Sequence, residues 1–159
     1  MLKEFFERRR IKKTFSKLVA RNVVEALIED RGEPLVPQPG QIEFVICYLR
    51  DDQPGRLLDF LGSVVDVGIK FEAYMAIASG AYVCLWFRPG TPTERLKLVD
   101  ELKSKLGDDL KLIHGSEHGS WGVFTCSKLA HYGFAIRRFD SVLGQLALMR
   151  FGETKLLTR

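Results

Sequence analysis

The sequence has little of what would mark a specialised class. Its 159 residues include three cysteines, Cys47, Cys84 and Cys126. An odd number at wide spacing argues against a disulfide framework and against a cysteine metal site. Cys47 and Cys84 lie in the apolar runs F-V-I-C-Y-L and Y-V-C-L-W-F, where a thiol behaves as a small hydrophobe. Buried, reduced cysteines are therefore expected. No apolar run approaches the roughly 18 residues that a membrane span needs. The chain is charged from Lys3 onward and shows no h-region of a signal peptide. Low-complexity tracts are also missing. These absences lead to the expectation of a cytoplasmic protein.

What remains is ordinary globular composition, 46% apolar and 28% charged, in one domain's worth of chain. The net charge of +4 is uneven, since residues 1–21 hold eight Lys or Arg against Glu4 and Glu7. Such a segment suits an anionic membrane surface or nucleic acid. The plainer alternative is the solvated face of an amphipathic helix. No aromatics interleave with the basic residues as a stacking platform would require, which argues against nucleic acid.

Apolar periodicity divides the chain into an N-terminal helical segment (1–31), a Pro/Gly linker (32–41) and a domain (42–159). The first part should hold a helix over 2–18 and a second from Val23 to Asp30, with Asn22 as N-cap. Ile42–Leu49 reads as a buried strand. A helix beginning near Asp52 and Pro54 presents Leu57, Leu58, Phe60, Leu61, Val64, Val65 and Val67. Lys70–Ile77 and Ala81–Phe87 flank Ala78-Ser79-Gly80 as a hairpin. Thr91-Pro92 opens a helix that Gly107 ends. Leu110–His114 is a strand, and Gly119-Ser120-Trp121-Gly122 is expected to turn the chain into Val123–Cys126. A hairpin, a helix and a last strand follow. The order βαββαβ with additions at both ends predicts an α+β, ferredoxin-like sheet with helices on one face.

The last part of the chain reads I-H-G-S-E-H-G-S-W-G, then Y-G-F-A-I, then F-D-S-V-L-G-Q-L-A-L-M-R-F-G-E-T-K-L-L. This order resembles the C-terminal half of class III adenylate/guanylate cyclase catalytic domains. There I-H-x-G-E closes a strand, a Tyr opens the next, and a V-N-x-A-x-R-L helix leads to P-G-E-I-L-L-S. The N-terminal R-R-R-I-K-K-T-F-S-K-L-V-A-R-N-V-V-E is similar to the segment preceding many bacterial cyclase domains. The resemblance implies the cyclase fold, head-to-tail dimers and sites formed across the dimer seam.

It also implies that the site is degenerate. The first metal-binding Asp of the family falls on Tyr48 and the second on Ala81. Ile77 stands where a base-recognising Lys would sit, and Gly133, beside Tyr132, takes the base-selecting position. The Asn of the V-N helix corresponds to Asp140, and the Arg one turn later to Gly144. Cyclisation of a nucleoside triphosphate needs metal-bound carboxylates and cationic donors to the transition state. A phenol and a methyl group cannot hold a hard dication, and one lost donor costs about 10²–10³ in rate.

The expectation is a domain with no catalytic residues, no metal and no cofactor, serving as a dimerisation and regulatory module. It would be a homodimer, with Trp121, Phe124 and Tyr132 near the seam. Two alternatives stand beside it: a cyclase subunit active in a heterodimer with another cyclase-type chain, and a small-ligand binder using a pocket lined by Tyr48, Ile77 and Ala81. Membrane-surface contact through the basic N-terminus stays open. His114, Glu117 and His118 have metal-like spacing but stand at a strand end and turn rather than on a helix face, which argues against zinc.

Overall fold

The computed structural model describes residues 2–5, 9, 37–126 and 129–157, with the side chains of 77–79, 123–126 and 129–132 excepted. Residues 2–5 and 9 are helical. The rest of the first expected helix, and the whole of the second, lie outside the described residues. No described helix is long and apolar enough to cross a membrane.

The sheet has six strands: β1 (Gln38–Leu49), β2 (Tyr74–Ser79), β3 (Tyr82–Phe87), β4 (Leu110–Cys126), β5 (Leu129–Ile136) and β6 (Thr154–Leu156). Helix α1 (Arg56–Lys70) joins β1 to β2, α2 (Pro92–Leu106) joins β3 to β4, and α3 (Phe139–Leu148) follows β5. The strand order is β2-β3-β1-β4-β5, and the short β6 pairs in parallel with β4. Strands β1 to β4, in the order β2-β3-β1-β4, thus have the ferredoxin-like arrangement that the βαββαβ order predicts. Strands β2 and β5, far apart in that order, touch one another, so the sheet curls.

Side-chain alternation in β1 sets up two cores. Val45, Cys47 and Leu49 face α1 and α2, where they meet Val64, Val67, Leu98 and Leu102. Ile42, Phe44 and Ile46 face the other way, onto Trp86, Ile113, Val142 and Leu146. Burying each such side chain contributes about 1.5–3 kcal/mol, so both faces of β1 anchor the fold. Gly68 of α1 lets that helix settle on Leu85, 3.5 Å from where its Cβ would stand. Leu58, expected on the buried face of α1, instead points to solvent.

Several element ends differ from the sequence reading. Strand β1 begins at Gln38, inside the expected linker, although Pro39 and Gly40 usually interrupt strands. Among the described residues, 38–41 pair with β4 and not with β3, so Pro39 has an edge where its missing N–H costs little. Gly40 is required there because a Cβ would fall 2.7 Å from Pro89 Cγ. Helix α1 starts at Arg56, after Gly55 with φ 88°, rather than at Asp52 or Pro54. Lys70 is its last residue and not the start of β2. Thr91 does precede α2, but its hydroxyl donates to the Arg88 carbonyl (2.8 Å) instead of capping the helix.

The largest correction concerns β4. The expected hairpin at Gly119-Ser120-Trp121-Gly122 does not exist: β4 runs unbroken through 17 residues. Trp121 pairs with Gln38 on one side and Phe134 on the other. Gly119 serves close approach rather than a turn. A Cβ on Gly119 would lie 2.1 Å from the Ala135 carbonyl oxygen. Gly122, at φ 135°, stands opposite Gly133. The chain reverses after Cys126 instead, to pair Val123 with Tyr132 and Phe124 with His131.

Candidate functional site

Tyr48 is the penultimate residue of β1, opposite Tyr82 of β3 and Lys111 of β4. Its half-buried ring meets the Tyr82 ring edge-on at 4.7 Å and the Phe151 ring at 5.9 Å. The Lys111 ammonium lies 5.0 Å from the Tyr48 ring and 5.3 Å from the Phe151 ring. It donates to the carbonyls of Ala147 (3.3 Å) and Met149 (3.2 Å), at the C-terminus of α3. That helix end carries partial negative charge and suits a cation. Lys111 is buried, and sequence reasoning missed it. An alternating strand with one Lys among Leu and Ile offered the signal: a charge on an inward position needs a partner.

The other sequence-flagged positions lie around this corner or far from it. The Leu49 amide donates to the Ala81 carbonyl at 2.8 Å, which holds the β2–β3 turn against the end of β1. The Ala81 methyl is buried in the core beneath α1 and α2. Ile77 pairs through its backbone with Cys84. Gly133 is buried within β5. Asp140 and Gly144 are both exposed on α3, and a Cβ at Gly144 would meet nothing within 4 Å. Trp121 packs at 6.5 Å from Trp86, with the Arg88 guanidinium over its ring at 5.3 Å. Phe124 and Tyr132 belong to the β4–β5 ribbon.

This corner does not suit a divalent metal. Tyr48 and Ala81 supply no carboxylate, and the nearest charge is an ammonium, which repels a dication. Of the carboxylates near the end of β1, Asp109 pairs with Arg50 and Arg56, each at 3.3 Å, and Asp52 with Arg56 at 3.6 Å, while Asp51 is exposed. His114, Glu117 and His118 cannot share an ion either. His114 and His118 lie opposite Val45 and Gln41, whereas Glu117 lies opposite Ile42 and so faces the other side of the sheet. Glu117 accepts instead from Arg138 Nε at 2.5 Å.

His114 is a buried mid-strand residue rather than a strand end. Burial, then the Arg95 guanidinium and Lys103, push its pKa from 6.5 down to about 4, against a smaller opposing pull from Asp100. It is a neutral imidazole at pH 7. Its neighbour Arg95, on α2, donates from Nη1 to the Glu43 carboxylate of β1, and both are buried. Cys47 and Cys84 are buried free thiols, as expected. Burial raises the Cys47 thiol to about 12 and Cys84 further still, so neither is a nucleophile.

No protein-family model matches the sequence, and no curated protein does. Solved structures match it well. A bacterial light-regulated adenylyl cyclase superposes with a TM-score of 0.70 over 92% of this chain, at 10% identity. The chain spans 50% of that protein's length. The adenylyl cyclase CyaB from P. aeruginosa gives 0.56 over 76% of this chain and 78% of its own, at 10% identity. The guanylate cyclase domain of RhGC from Catenaria anguillulae, solved with GTP, gives 0.58 over 75% of this chain and 79% of its own, at 7% identity. The ferredoxin-like core, the curled antiparallel sheet and these superpositions give the chain the fold of a class III nucleotidyl cyclase domain.

Proposed function

We propose that this domain is a catalytically silent cyclase-fold module that acts through dimerisation and regulation. The observation that carries the proposal is the corner at the end of β1. There Tyr48, which the sequence resemblance aligns with the family's first metal carboxylate, has its ring in contact with Tyr82 and Phe151 and an ammonium beside it. A filled aromatic corner also favours a plain scaffold over a small-ligand pocket. On the other half of a cyclase-type site, Asp140 would bring negative charge toward a triphosphate, and Gly144 supplies no donor.

The β4–β5 ribbon supports dimerisation. Among the described residues, β4 from Gly122 onward pairs with β5 and no other strand. A two-stranded ribbon is marginal in water, and a second chain would cover it. Trp121, at the base of the ribbon and half-buried against its own core, and Phe124 and Tyr132 along it, are the side-chain types most enriched among interface anchors. The test is the mass of the full chain in solution by sedimentation velocity across a concentration series. A dimer is expected. Trp121→Ala with Phe124→Ala should weaken it by about 2 kcal/mol, roughly thirtyfold in Kd, with an unchanged circular dichroism spectrum. A wild-type chain that stays monomeric at high micromolar concentration rules dimerisation out.

A further inference from the structure

Lys111 presents an unusual balance. It is a buried primary ammonium that makes no ion pair with any carboxylate among the described residues. Burying an ammonium is costly unless something offsets its charge. Three kinds of group do so here. Two carbonyl oxygens at the end of α3 accept from Nζ at 3.2 and 3.3 Å. The helix terminus behind them contributes partial negative charge. The faces of Tyr48 and Phe151 stand 5.0 and 5.3 Å away, within the range where a ring quadrupole attracts a cation. An ammonium can donate its N–H groups to the carbonyls while its charge rests against the ring faces, whereas a hard divalent metal needs more oxygen ligands, carboxylates among them, than this corner supplies.

We propose that the corner between the end of β1 and the C-terminus of α3 is a seat for an alkylammonium ion, filled in this chain by its own Lys111. The seat ties Tyr48 to α3 and to the turn at Phe151. It goes beyond the silent-module proposal and does not depend on it. Cyclic nucleotide formation by the wild type would end that proposal and leave the seat standing, whereas the experiment below can overturn the seat without touching catalysis.

The test is chemical rescue in the full chain. Lys111→Ala removes the ammonium and its stem, and leaves both carbonyls and both rings in place. Its melting temperature is followed in propylammonium chloride and in sodium chloride at equal ionic strength. The amine should raise it by about 3 °C or more over sodium, and should leave the wild type, whose seat is taken, unmoved. Lys111→Gln keeps a donor and most of the stem but no charge, and should show no rescue because the seat is sterically filled. An equal response to sodium, an equal rise in the wild type, or no rise in Lys111→Ala overturns the proposal. Where Lys111→Ala does not fold unaided, the readout is its refolded fraction with and without amine, and no gain in that fraction overturns it equally.

Discussion

Removing the carboxylate of Glu43 should destabilise the domain far more than its single hydrogen bond suggests. Glu43 lies on β1 with Phe87 and Ser116 as its strand neighbours, and Arg95 reaches it from α2. Glu43 is 5% and Arg95 8% exposed, so bulk water screens neither charge well. Arg95 Nε has no partner among the described residues, so Glu43 is the main compensation for that guanidinium. Glu43→Gln leaves an uncompensated buried cation, at about 3–5 kcal/mol. Domain stabilities of about 5–15 kcal/mol make that a fifth or more of the total. With a urea slope of about 2 kcal/mol/M, the midpoint should fall by roughly 2 M. Glu43→Leu combined with Arg95→Met should recover most of the loss, because the apolar pair needs no desolvation of charge. Urea titrations at pH 7, followed by far-UV circular dichroism, of the wild type, Glu43→Leu, Arg95→Met and the double variant provide the four corners of the cycle, with Glu43→Gln measured beside them. A loss below about 1 kcal/mol for Glu43→Gln, or a double variant as unstable as the sum of the singles, refutes the reasoning.

Other outcomes follow from the same structure. Gly119→Ala places a methyl 2.1 Å from the Ala135 carbonyl oxygen; backbone cannot yield cheaply, so a loss of about 1–3 kcal/mol is expected by urea titration, and a neutral result would contradict this close approach of β4 and β5. His114 is held below its ordinary pKa of 6.5, at about 4, so the unfolded chain takes up the proton first. Stability from this residue is full above about pH 6.5 and is lost as pH falls toward about 4. His114→Gln should flatten that part of the urea-midpoint profile, whereas an unchanged profile assigns the acid sensitivity to other groups. The helical apolar pattern of the N-terminal segment, from Phe5 to Ile28, leads to the expectation of burial against the core or a second chain, although Phe5 itself is exposed in the single chain. Deleting residues 1–31 should lower the melting temperature or shift the oligomeric state, and a truncation that changes neither contradicts this.

Much of the fold is legible in the sequence because its signals are local. Thr91-Pro92 and Gly107 bracket α2 as the punctuation indicates, and the apolar run of β1 is a strand buried on both faces. The failures share a cause: residues whose role depends on a neighbour distant in sequence. Gly119 and Gly122 read as turn residues, but strand β5 lies against both, and at Gly119 it leaves no room for a side chain. Pro39 and Gly40 read as a linker until β4 is seen to pair with them and β3 is not. Lys111 looks like a solvated strand charge until the end of α3 arrives above it. At the site, family resemblance pointed to Tyr48 and Ala81. It did not reveal that the Ala81 methyl belongs to the helix-side core, or that a cation stands beside Tyr48.

The central claim is that the cyclase fold persists here without cyclase chemistry, and cyclic nucleotide formation tests it most directly. The purified full chain, incubated with ATP or GTP and with Mg²⁺ or Mn²⁺, should yield no cyclic AMP or cyclic GMP above a no-protein blank. Product that accumulates with the chain and disappears in Tyr48→Ala would contradict the account, since Tyr48 would then be serving a working site.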